Sequence, residues 1–221
     1  QYAAVDADLL AIKPANLSMR EAAALPLAFI TSYSGIVDRA HLRAGQTVLV
    51  QGGAGGVGHV SVQLARALGA HVFATAALRD HDLVARLGAT PIDYQSQTVE
   101  SYVDSFTQGA GFDLVVDTVG GPSLDAAFTA VKHFGHVVSA LGWGTHALAP
   151  LSFREATYSG IFTLYPLLTG LHRAHHGDML REATRLVEAG KLVPHLDPRR
   201  FDLRSAEAAY DAITQATARG K

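Results

Sequence analysis

The stretch Thr47-Val48-Leu49-Val50-Gln51-Gly52-Gly53-Ala54-Gly55-Gly56-Val57-Gly58, running on through His59 into Val60, Val62, Leu64, Ala65 and Leu68, decides the fold. Its first five residues form a short apolar run of strand length, and its last part has the apolar spacing of a helix. Between them Gly53, Gly55 and Gly58 stand in G-x-G-x-x-G spacing. In the order strand, glycine turn, helix, that spacing predicts a dinucleotide-binding turn. Gly53 permits the tight turn, Gly55 keeps a Cβ out of the way of the phosphates, and Gly58 lets the helix lie close to the strand. The helix N-terminus offers N–H donors and a partial positive charge to a pyrophosphate. A nucleoside triphosphate loop of the Walker type is excluded, because no Lys-Ser or Lys-Thr follows the glycines.

Outward from this turn, strand-like runs alternate with helical ones, the form of a parallel sheet covered on both faces. The expected fold class is therefore α/β, a doubly wound parallel sheet. Strands are predicted at Thr47–Gln51, His71–Thr75, Thr90–Asp93, Asp113–Asp117, His136–Ala140 and Ile161–Leu164. Helices are predicted at Gly56–Leu68, Asp80–Leu87, Val99–Phe106, Ser123–Val131 and Gly177–Ala189, with another entered near Ser18 and a last one over Ser205–Thr217. Gly69, Gly88, Gly135 and Gly190 each follow a helical run, where a left-handed closing residue is expected.

The end of the second strand discriminates between cofactors. An acidic residue there would hold the ribose 2′-hydroxyl of NAD, and a basic one would accommodate the phosphate of NADP. The strand ends Ala74-Thr75-Ala76-Ala77-Leu78-Arg79, which favours NADP; Asp80 is the alternative ribose partner, and would mark NAD.

The 221 residues are 48% hydrophobic and 17% charged, so the chain can bury a large core without metal or disulfide. Eighteen basic residues against 20 acidic ones give a net charge of -2, which provides no broad attraction for nucleic acid or an anionic membrane. There is no cysteine, which excludes disulfides, thiol nucleophiles and cysteine-bound zinc. The segment from Gln1 to Asp6 lacks the charge and apolar core of a signal peptide, and the apolar stretches at 22–37 and 160–171 are interrupted by Pro26 and Pro166. A cytoplasmic location and a small-molecule partner are the expectation.

The segment from Gly45-Gln46-Thr47 through the glycine turn to Gln63 and Arg66 resembles the signature of the zinc-independent quinone oxidoreductases, the ζ-crystallin-like branch of the medium-chain dehydrogenase/reductase superfamily. It departs at Gly53, where alanine or serine is usual. The similarity covers nearly the whole chain. It takes in Leu17-Ser18 with Glu21-Ala22-Ala23-Ala24-Leu25-Pro26, and the Thr31-x-Tyr33 run. The resemblance implies that Thr31 lies by the nicotinamide and that Gly53, Ala54, Gly55, Gly56, Val57 and Gly58 hold the pyrophosphate. Thr75, Arg79, Asp93 and Tyr94 would form the NADP-selecting edge, Thr118 and Val119 the adenosine-side loop, and Ala140, Leu141 and Gly142 the backbone holding the carboxamide.

Zinc-dependent relatives place a cysteine ligand where this chain has Leu27, so the resemblance implies no catalytic zinc. It implies hydride transfer from NADPH to a quinone or enone, and a homodimer through the strand at 161–165. It further implies a substrate-binding domain ahead of this chain. Residues 1–24 would then be its remnant and linker, 25–170 the dinucleotide-binding domain and 171–221 helices and a connector leading back; alone the chain would turn over little. Alternatives are an enoyl reductase or alcohol dehydrogenase-like reductase, or a nucleotide sensor without catalysis. A short-chain dehydrogenase is excluded, because none of the seven tyrosines has a lysine four residues later.

His172, His175 and His176 have a spacing compatible with metal ligands but read as a solvated helix end beside Arg173 and Asp178. His195 and Asp197 are given no role, and Tyr158 and Tyr165 read as packing residues.

Overall fold

A computed structural model describes residues 2–215 and 217–221. Six strands, β1 (Thr47–Gln51), β2 (His71–Ala76), β3 (Thr90–Asp93), β4 (Phe112–Asp117), β5 (Val131–Ser139) and β6 (Thr157–Gly160), form one parallel sheet in the order β3-β2-β1-β4-β5-β6. This is the doubly wound order of a Rossmann fold. β1 pairs with β2 on one side and β4 on the other, so the chain reverses its winding beside β1, the place where such sheets open a ligand crevice.

The two-residue period of the strands builds two cores. Val48, Val50, Leu114 and Val116 face one layer, while Leu49 and Val115, one residue out of phase, face the other; all six are buried. The first layer contains α1 (Met19–Ala23), α2 (Pro26–Tyr33), α3 (Gly58–Ala67), α4 (His81–Leu87) and, further along, the helix Arg173–Glu188; α2, α3, α4 and that helix all contribute to its core. The second has α5 (Val99–Thr107), α6 (Pro122–Ala130) and α7 (Ala149–Ser152). Each fully buried aliphatic side chain contributes about 1.5–3 kcal/mol relative to exposure. A short α8 (Tyr165–Thr169) precedes the helix Arg173–Glu188, α9, and α10 spans Ala206–Thr214. Residue 216, inside the expected final helix, lies outside the described residues.

α1 begins at the cap expected near Ser18: its hydroxyl accepts from the Glu21 amide while the Glu21 carboxylate accepts from the Ser18 amide. Gly69, Gly88 and Gly190 close their helices with φ of +88°, +96° and +68°. Gly135 does not. The chain passes from α6 straight into β5 at Val131, and the left-handed residue is Phe134, at φ +60°.

The last strand also differs from expectation. Ile161–Leu164 is not a strand, because the pairing positions on β5 from His136 to Ser139 are taken by Thr157–Gly160. Ile161 adds one further bond, its amide donating to Ser139 O at 2.8 Å, before the chain turns away. Sequence reasoning also left the apolar stretch after Pro26 unassigned; it is α2 continued by a π-helical turn, Ser34–Arg39. The hydroxyls of Ser32 and Ser61, 2.8 Å apart and buried, tie α2 to α3.

Candidate functional site

The glycine turn crosses the carboxyl end of β1. The Gly53 amide donates to Thr75 O at 2.9 Å, and the Gly52 amide to the Thr75 hydroxyl at 3.1 Å, so β2 holds the start of the loop. Gly55 then donates to Gly52 O at 2.9 Å, which closes the turn. A Cβ on Gly53 would lie 2.5 Å from that of Ala74, and one on Gly58 would lie 2.0 Å from Gly52 O. Both glycines are therefore required by close approach. The amides of Ala54, Gly56 and Val57 find no acceptor among the described residues. They stand at the N-terminus of α3, where the helix dipole favours an anion.

A cleft of about 1510 Å³ opens over this loop, larger than the roughly 300–1,000 Å³ of a drug-sized pocket. Of the residues expected from sequence, Ala54, Gly55, Gly56, Val57, Thr75, Arg79, Tyr94, Thr118 and Val119 line it. Gly53 and Gly58 lie buried beneath it. The free amides, the glycine cradle that any Cβ would fill and the size of the cleft fit an extended dinucleotide.

At the β2 end, Arg79 has its side chain 64% exposed, with Nε 3.5 Å from the carboxylate of Asp80. Thr31 and Ala140 line a much smaller hollow that shares Val57 and Thr118 with the cleft. The Thr31 hydroxyl donates to Leu27 O at 2.8 Å. Leu141 and Gly142 lie beyond both cavities but are held to the same frame. Asp117, buried at the end of β4, accepts from the amides of Val119 (3.0 Å) and Gly120 (2.9 Å) and from the Ser139 hydroxyl (2.6 Å). The Leu141 amide donates in turn to Ser139 Oγ at 3.1 Å. One carboxylate thus positions the loops after both β4 and β5.

Sequence reasoning missed one wall of the cleft. His195, Leu196 and Gly220-Lys221 line it, as does Arg86. His59, on the first turn of α3, is fully buried; its Nδ1 donates to Gly55 O at 2.9 Å, its ring meets that of His195 edge-on at 6.2 Å, and its Nε2 has no partner among the described residues. Burial holds the His59 imidazole below its ordinary pKa, and the neighbouring His195 and Lys221 act in the same direction. Only the position of His59 directly after Gly58 could have drawn attention to it.

The other candidates keep structural roles. His175 pairs with Asp38 at 3.0 Å, His176 is buried, and His172 caps α9 in a left-handed conformation. Asp197 accepts both from the Arg199 guanidinium, at 2.7 and 2.9 Å, and from the Arg219 amide, and these bonds hold its carboxyl far below the ordinary range. Among the described residues no helix is long and apolar enough to cross a membrane.

The family model described as "Zinc-binding dehydrogenase" matches residues 87–221, more than half of the chain. The chain belongs to the zinc-binding dehydrogenase family. Among curated relatives, a 2-methylene-furan-3-one reductase of Solanum lycopersicum is 35% identical over all of the chain and 50% of the relative. A chloroplastic NADPH-dependent alkenal/one oxidoreductase of Arabidopsis thaliana is 35% identical over 90% of the chain and 45% of the relative. The chain thus spans about half the length of these relatives. Among solved structures, an alcohol dehydrogenase superfamily protein from Novosphingobium aromaticivorans is 62% identical, with a TM-score of 0.93 over 96% of this chain and 64% of that one. The CurK enoyl reductase is 27% identical, with a TM-score of 0.82 over 98% and 65%.

Proposed function

We propose that this dehydrogenase chain binds NADP(H) for an oxidoreductase that transfers hydride to a quinone or another α,β-unsaturated carbonyl compound. The carrying observation is the convergence, in one cleft, of the unsatisfied amides of Ala54, Gly56 and Val57 with the exposed guanidinium of Arg79. The names of the relatives support the substrate class, since one is an NADPH-dependent alkenal/one oxidoreductase and another reduces a methylene-furanone.

In this reading the amides at the start of α3 hold the pyrophosphate, and Arg79 with Tyr94 receives the adenosine end and its 2′-phosphate. Thr31 and Ala140 flank the hollow toward the reacting end, and the backbone of Leu141 and Gly142 orients the ring there. The nicotinamide, when bound, supplies the hydride. Leu27 brings hydrocarbon rather than a ligand atom to the position of a zinc-binding cysteine, so the reading takes polarisation of the substrate carbonyl to be independent of zinc.

We propose also that the free edge of β6 and the segment after it form a two-fold contact with a second copy of the chain. Among the described residues β6 pairs only with β5, and Phe162, Leu164 and Tyr165 are all about half exposed. A monomer by light scattering at high concentration would count against this contact.

Calorimetric titration with NADPH and NADH tests the cofactor, and NADPH oxidation with a benzoquinone, a linear enone and an enoyl thioester tests the substrate. Turnover confined to the thioester would favour the second reading, an enoyl reductase, which the likeness to CurK supports. No binding of either nucleotide would overturn both.

A further inference from the structure

Resting on the reading of the glycine turn as a phosphate cradle, we propose that His59 is a positioning residue of that cradle, its Nδ1–H holding the peptide between Gly55 and Gly56 from beneath so that the Gly56 amide is aimed at the pyrophosphate. Gly55 O accepts twice, from the His59 amide at 3.0 Å and from the His59 ring at 2.9 Å. The first is the ordinary bond of a helical turn. The second depends on a side chain that reaches back four residues. In a planar trans peptide the carbonyl and the N–H that follows it point in opposite directions. With Gly55 O drawn into α3, the Gly56 N–H faces the other way, and it finds no acceptor among the described residues. A second bond on the carbonyl also polarises the same peptide and makes its N–H a stronger donor.

A carbonyl oxygen can only accept, so Nδ1 carries the ring proton, and in the neutral imidazole Nε2 is bare. That agrees with an Nε2 left without a partner among the described residues. The surroundings keep the ring neutral. Burial is the main cause, and His195, edge-on at 6.2 Å, and Lys221, whose amide donates to His195 O at 2.9 Å, both oppose a further proton. His59 is fully buried and does not line the cleft, so it touches no ligand. Its one side-chain bond ends on the turn, and its influence on a bound anion passes through the Gly55–Gly56 peptide.

The test is calorimetry on the full chain and on its His59→Leu and His59→Asn variants, with ADP-ribose, which carries the pyrophosphate, and adenosine 2′-monophosphate, which does not. His59→Leu removes the donor, and is expected to weaken ADP-ribose about fivefold, the scale of one neutral hydrogen bond, with adenosine 2′-monophosphate unchanged. His59→Asn places an amide N–H where Nδ1 stood, and should restore most of the affinity. Both variants leave a misfit in the core, so a merely structural role would weaken the two ligands alike and show no rescue by asparagine; that outcome, or unchanged ADP-ribose binding in His59→Leu, would overturn the assignment while leaving the cofactor reading in place. Nitrogen NMR of the unsubstituted chain at pH 7.5 checks the donor without any substitution: the Nδ1–H tautomer is expected, and the Nε2–H tautomer would overturn the proposal. Failure of the unsubstituted chain to bind ADP-ribose would remove the cradle reading, and this proposal with it.

Discussion

A side chain on Gly58 would have to begin 2.0 Å from the carbonyl oxygen of Gly52, because the first turn of α3 rests directly on the end of β1. The Gly58→Ala variant must part the two, and overpacking of this kind costs about 1–3 kcal/mol. Denaturant unfolding should register that loss. Parting them also displaces the free amides, so NADPH titration should show binding weakened well beyond the stability effect. Native affinity in the variant would mean that the turn is not the cradle.

Arg79 pairs with Asp80 at 3.5 Å, and its side chain is largely in solvent, which leaves the guanidinium available to a ligand. The Arg79→Ala variant should bind NADPH about tenfold more weakly, the scale of one charged hydrogen bond, and bind NADH as before. Equal losses for both nucleotides would assign the residue to the common part of the cofactor.

Gly142 faces Tyr158, whose hydroxyl would lie 2.1 Å from a Cβ at that position. Gly142→Ala should therefore destabilise the chain by about 1–3 kcal/mol. Removal of the hydroxyl in Tyr158→Phe opens the space, so the double variant should recover most of the loss, a coupling that separate thermal melts of the four proteins would measure. Additive losses would show that the clash is relieved elsewhere.

Burial lowers the pKa of His59, and of His136, His176 and His195, below the ordinary imidazole value of 6.5. The unfolded chain then takes up protons before the folded one. Stability is thus full above about pH 6.5 and is lost as pH falls through the lowered folded values. Melts between pH 7.5 and 5.5 should show this decline, and His59→Gln should make it shallower. A melting temperature independent of pH over that range would refute it.

Where contacts are local in sequence, the chain reads correctly. The strand, turn and helix around Gly53, the cap at Ser18 and the closing glycines 69, 88 and 190 each depend on residues within a few positions of one another. Ile161–Leu164 misled because its side chains suit a strand, whereas pairing is decided by the neighbour, and β5 is occupied by Thr157–Gly160. Of the site, the side belonging to the glycine turn, β2 and β4 was legible. The wall formed by His195 and Lys221 was not, since it reaches Gly56 only through a pairing of segments some 140 residues further along the chain.

The cradle between Gly52 and Gly58 owes its shape to atoms that are missing. No missense change at a glycine codon can make the residue smaller, so mutation there moves in one direction, toward obstruction. Such a site can be lost in a single step and recovered only by reversing that step. It acts as a ratchet in descent: the turn holds the chain to one kind of ligand, while the loops after β5, built from side chains that can shrink as readily as grow, retain room to vary in what they admit.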